Sequence, residues 1–175
     1  VINSVREVFT MPLTGLTNGC QPVLGYNYGA GLYGRVREGI RFTAISSLGY
    51  SLVVWVLVMA APQVFIHIFN SESELLEAGI PAFRIYFAAF FCMAFQFIGQ
   101  SVSVALNRSK SAVFFSMFRK VMIVAPLTLI LPGIGWGVDG VFWAEPISNV
   151  IGGLACFITM WLTVYVPLGR MKDGI

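Results

Sequence analysis

Five long stretches of this chain carry no Asp, Glu, Lys or Arg: residues 8–34, 42–69, 85–107, 121–138 and 146–169. Crossing the hydrocarbon core of a bilayer takes about 20 apolar residues in a helix. The pattern therefore predicts membrane-spanning helices at about residues 7–28, 42–69, 83–107, 121–138 and 141–166. The predicted fold class is all-α, a polytopic transmembrane helix bundle with about five spans.

Two of these spans are interrupted by polar side chains at helical spacing. Thr10, Thr14, Thr17 and Gln21 fall on one face of the first, and Gln96, Gln100, Ser103 and Asn107 on one face of the third. Amides facing lipid are costly, so both stripes are expected to turn inward. They either line a cavity or hydrogen-bond between helices as packing contacts. Gly15 and Gly19 form a small-xxx-small pair suited to close helix approach. Pro12, Pro22, Pro126 and Pro132 predict kinks. Ser71 followed by Glu74 resembles a capping box in the first outer connection. His67 and Trp136 are expected at the outer interface.

Charge gives the orientation. Nine of the eleven basic residues cluster as Arg35, Arg37 and Arg41; Arg108, Lys110, Arg119 and Lys120; and Arg170 and Lys172. The alternate connections carry Glu72, Glu74 and Glu77, then Asp139 and Glu145. Cations on every second connection follow the positive-inside rule. On this reading the cations lie at membrane boundaries, the cavity holds none, and Glu145 sits at the outer interface beside Trp143. The absence of an initiator Met and an odd number of spans beginning outside are read as a fragment whose upstream part is missing.

Composition narrows the class. Hydrophobic residues make up 57% and charged residues 11% of the chain, against roughly 25% charge in soluble domains. Mean hydropathy is +0.80. With its cations at boundaries, the net charge of +3 does not point to nucleic acid. Cys20, Cys92 and Cys156 lie in three different spans with neither metal-ligand nor disulfide spacing, and are read as packing residues. No phosphate loop, helical His pair or nucleophile elbow appears, so no enzyme is expected.

The run Gln21-Pro22-Val23-Leu24-Gly25-Tyr26-Asn27-Tyr28-Gly29-Ala30 resembles a signature at the end of the eighth helix of MATE (multidrug and toxic compound extrusion) transporters. Gly140 to Pro146 is similar to the start of the family's twelfth helix, and Arg119 with Pro126 and Pro132 looks like the eleventh. The resemblance implies helices eight to twelve of a twelve-helix, two-bundle transporter. It implies a secondary antiporter that exports cationic amphipathic compounds in exchange for Na⁺ or H⁺, without other cofactors. The expected partners are small organic cations, the lipid bilayer and the missing N-terminal half. The expected setting is the plasma membrane, or the inner membrane of a Gram-negative cell.

Thr14, Thr17, Gln21, Gln96 and Gln100 are the expected cavity residues. Glu145 is a candidate for ion coupling. Pro22, Gly25, Tyr26, Asn27, Tyr28, Gly29, Ala30, Pro126 and Pro146 are expected to be structural. The family often has a carboxylate in the tenth helix and an Asp after the twelfth-helix Pro. Here residues 85–107 hold no acid and position 149 is Asn. Both departures point to a coupling acid upstream. The rival readings are a lipid-linked oligosaccharide flippase of the same superfamily, expected to place several cations in its cavity, and a non-transporting scaffold or pore.

Overall fold

The computed structural model describes residues 2–69, 73–131, 133 and 137–171. Helices α1 (Ile2–Gly29) and α2 (Tyr33–Ala60) form the first antiparallel pair. A short α3 (Pro62–Phe69) and α4 (Ser73–Phe87) follow, then a 3₁₀ turn (Phe90–Cys92) and α5 (Met93–Ala105). The next crossing is α6 (Ser109–Met117), a π-helical segment (Phe118–Val124) and α7 (Ala125–Leu131). The last is α8 (Gly137–Met160), a second π-helical segment (Trp161–Tyr165) and α9 (Val166–Leu168).

Among the described residues, four helical stretches are long and apolar enough to cross a membrane: Tyr33–Ala60, Gly79–Ala105, Ala112–Leu131 and Phe142–Leu168. The 28-residue α1 has the length but is more polar than these. The expected capping box at Ser71 and Glu74, the side chain of His67, and Trp136 lie outside the described residues and side chains.

The breaks depart from the sequence reading. The expected single span 42–69 is two helices, and α2 begins nine residues earlier, so Arg35, Arg37 and Arg41 are helical. The break falls at Ala61, with φ −136° and ψ 59°. A residue before proline is pushed out of the α region, and Pro62 follows. The expected span 83–107 is also divided, at Ala88 and Ala89, without a proline or glycine at the break. Its opened carbonyl is satisfied elsewhere: Trp55 donates its indole N–H to the Ala88 carbonyl at 3.0 Å.

One end of the bundle is built from helix termini. The α1 end closes with Leu32 N–H donating to Asn27 O and Gly31 N–H to Tyr28 O. Gly31 has φ 73°, which completes a Schellman cap. The α5 end repeats the motif: Arg108 N–H donates to Ser103 O, Asn107 N–H to Val104 O, and Asn107 has φ 58°. Asn107 is thus a helix cap and not a member of a cavity stripe. The same end gathers cations: the Arg37 guanidinium lies 4.6 Å from the Tyr165 ring centroid, and Arg108 donates to the Thr163 carbonyl.

The core lies where α1, α2, α5 and α8 meet, around Leu13, Ile40, Ala94, Ile98 and Met160. A second cluster, including Val58, Phe83, Phe87 and Phe90, fills the opposite end. Close helix approach does not use the expected Gly15–Gly19 pair, since a Cβ at either would meet nothing within 4 Å. It uses Gly25, Gly39, Gly99, Gly152 and Gly153, where an added Cβ would lie 3.1 Å or less from a neighbouring atom.

Candidate functional site

The site grows from a face of α8. Glu145, Asn149 and Gly152 recur at steps of four and three and so stack on one side of the helix. Gly152 removes the bulk that would obstruct the Arg119 stem: a Cβ there would lie 2.8 Å from Arg119 Cγ. Into this notch Arg119 extends from the first π-helical segment. Its Nη1 donates to Asn149 Oδ1 at 2.8 Å and its Nη2 to Glu145 Oε1 at 3.3 Å. Arg6 of α1 donates from Nη1 to the same carboxylate oxygen at 3.4 Å. One acid therefore ties three helical segments together. The Arg119 and Glu145 side chains are only 7% and 14% exposed, so the pair is buried between helices.

A cavity of about 260 Å³ opens beside this cluster, between α1, α5 and the Arg119 segment. Its polar lining includes Arg6, Glu7, Thr10, Gln96, Gln100, Ser116, Arg119 and Lys120, with Met93 and Phe97 interleaved with the two glutamines on one face of α5. A more open hollow of about 400 Å³ continues along α1 past Glu7, Thr10, Thr14 and Asn18.

Each polar stripe divides at this level. Thr14, Gln96 and Gln100 stand on the walls. Thr17 and Gln21 do not. The Thr17 hydroxyl is buried and donates back to the carbonyls of Leu13 and Thr14, while the Ser101 hydroxyl donates to the Thr17 carbonyl at 2.6 Å. Gln21 donates to Asn18 Oδ1 on its own helix. Thr17 and Ser103 are thus buried packing residues, Ser103 bonding to the Gly99 carbonyl. Ser101→Ala is expected to lower thermal stability only slightly, because interhelical hydrogen bonds in membranes average about 0.6 kcal/mol. A melting curve of the full-length protein would check this, with export at normal abundance left intact.

Glu145 keeps its place near the start of α8 and is held by two guanidinium groups. Two expectations are corrected here. Arg119 and Lys120 lie inside a helical stretch and not in a connection. The cavity is not free of cations: Arg6, Arg119 and Lys120 line it. The Glu145–Asn149–Gly152 spacing was the available signal.

The signature run at the end of α1 is architectural in its contacts. A Cβ at Gly25 would lie 3.1 Å from the Ala105 carbonyl oxygen. Asn27 donates to the Val23 carbonyl, Tyr28 meets Tyr33 edge to face, Tyr26 is exposed, and Gly29 and Ala30 lead into the Gly31 cap. Pro126 lies in α7, and Pro22 and Pro146 lie inside α1 and α8.

The MatE family model matches residues 1–130. The chain belongs to the MatE (MATE) family of membrane transporters. Among solved structures, the MATE multidrug transporter DinF-BH in complex with R6G is 29% identical, with a TM-score of 0.85 over 96% of this chain and 37% of that one. The Vibrio cholerae MATE transporter VcmN in its bent form is 18% identical, with a TM-score of 0.85 over 97% and 38% of the two chains, a likeness of fold. A curated relative, the FAD transporter of Shewanella oneidensis, is 22% identical over 153 residues, which are 87% of this chain and 34% of that protein. This MATE chain thus spans about a third of its curated relative. It is a multi-pass membrane chain whose crossing helices carry a charged, partly enclosed cavity.

Proposed function

We propose that the chain forms helices eight to twelve of a secondary antiporter that exports a small amphipathic organic compound across the plasma membrane, or the inner membrane of a Gram-negative cell, in exchange for Na⁺ or H⁺. The observation that carries this reading is the polar cavity between α1, α5 and the Arg119 segment, set among otherwise apolar crossing helices. Intramembrane polar groups and irregular helices concentrate around transport pathways. The other half of the transporter would complete the cavity.

Coupling belongs to that other half on this reading. Glu145 Oε1 already accepts from Arg6 and Arg119, so its charge is committed and it is a poor ligand for a coupling ion. The family resemblance suggests cationic substrates, but the cations of this wall oppose a bare cation at this position. The FAD transporter relative supports a substrate that carries negative charge.

A second reading, a lipid-linked oligosaccharide flippase, gains from Arg6, Arg119 and Lys120 on the cavity wall. Proteoliposomes of the full-length transporter separate the readings. An imposed Na⁺ or H⁺ gradient is expected to raise efflux of a water-soluble fluorescent compound several-fold. Gradient-independent flux would indicate a pore, and movement of labelled lipid alone a flippase.

A further inference from the structure

We propose that the wall around Arg119 is an anion-recognition subsite, so that the compound handled here is an amphipath bearing a phosphate or carboxylate group. For its place in a transport cycle this rests on the antiporter reading; its binding chemistry stands on the following geometry. Counting Arg6, Arg119 and Lys120 against Glu7 and the paired Glu145, one positive charge is left over around the cavity. Lys120 is the exposed one of the three cations, and an anion in the cavity is attracted by the excess positive charge.

Donors remain available. Among the described residues, the Nε of Arg6, the Nε of Arg119 and the Gln96 Oε1 are buried without a hydrogen-bond partner, whereas buried polar groups are nearly always partnered; the two guanidinium groups reach an anion only by turning toward the cavity they line. Guanidinium groups match the oxygens of phosphate and carboxylate better than an ammonium does. Met93 and Phe97, on the face of α5 that also carries Gln96 and Gln100, supply apolar surface within the same cavity. A charged head and a flat apolar body thus meet complementary surfaces within one cavity.

The test uses the full-length transporter in neutral phosphatidylcholine vesicles, with flavin fluorescence quenching as the readout. Riboflavin and FMN share one ring system and differ by a phosphate. FMN is expected to bind about tenfold tighter or more, the range of a charge-assisted hydrogen bond. That ratio should fall toward one in Arg119→Gln and in Lys120→Gln. Arg119→Lys should keep part of it. Lys120 is exposed, so its variant serves if Arg119→Gln does not fold.

Equal affinity for the two flavins, no FMN binding, or an unchanged ratio in both variants would overturn the proposal. So would displacement of FMN by phosphatidylglycerol at a few lipids per transporter, which would make the wall a headgroup site. The same vesicles under an ion gradient test the antiporter reading separately. FMN preference without gradient-driven flux removes that reading and leaves the subsite. Flux of riboflavin or R6G without FMN preference does the reverse.

Discussion

Glu145→Leu is expected to destabilise the full-length transporter by about 3–5 kcal/mol, the cost of stripping one partner from a buried ion pair. Arg119 would suffer most, because its stem is seated against Gly152 and its side chain is only 7% exposed. Arg6 is more exposed, at 27%, and can rehydrate. Glu145→Gln keeps an acceptor oxygen and should fall between the two. Melting of the purified protein in detergent, read by size-exclusion fluorescence, would show the order wild type, Gln, Leu. Combining Glu145→Leu with Arg119→Met should recover much of the loss, since an apolar pair of similar volume can replace a buried ion pair. A Glu145→Gln protein that melts like wild type yet has lost ion-dependent export would instead make this acid a coupling residue.

The second large effect is expected at the crossing of α5 and α8. A Cβ on Gly153 would lie 2.6 Å from the Cys92 carbonyl oxygen, and one on Gly99 2.7 Å from Cys156 Sγ and 3.1 Å from the Cys156 carbonyl. Backbone atoms cannot move aside as a side-chain tip can. Gly153→Ala should therefore cost about 1–3 kcal/mol, the usual range for overpacking, and Gly153→Leu more. Gly15→Ala is the internal comparison, because a Cβ there meets nothing within 4 Å. Protein yield and melting temperature of the three variants would test the assignment. Equal behaviour of Gly15→Ala and Gly153→Ala would mean that the helices do not cross this closely.

Hydropathy was a good guide to helices and a poor one to their interruptions. Pro62 signals the end of α2, but it sits inside a run so apolar that the run reads as one span. The division at Ala88 and Ala89 has no sequence mark of its own, because Trp55, 33 residues away, satisfies the opened carbonyl. The polar stripes were visible at their spacing. Which half faces the cavity depends on where α1 and α5 diverge, and spacing holds no information about that.

Arg119 was hidden for a different reason. With Lys120, it reads as part of a boundary cluster that follows Arg108 and Lys110. A π-helical segment also shifts the phase of side chains relative to an α-helix, so α-periodicity does not bring Arg119 to the face it occupies. The acid that holds it comes from the next helix. Recognising the pair from the sequence required treating Glu145, Asn149 and Gly152 as one receiving surface.

The two helix caps at Gly31 and Asn107 have a mechanical consequence. They fasten α1 and α5 at the same end of the bundle, and Gly25 lies against the Ala105 carbonyl just inside them. That end acts as a fulcrum. Arg6 lies about 35 Å up the lever at 1.5 Å per residue, so a tilt of about 10° moves it by about 6 Å. A rotation small enough to leave the caps unbroken is therefore large enough to part Arg6 from Glu145, now 3.4 Å away, while Arg119 keeps its hold on the acid.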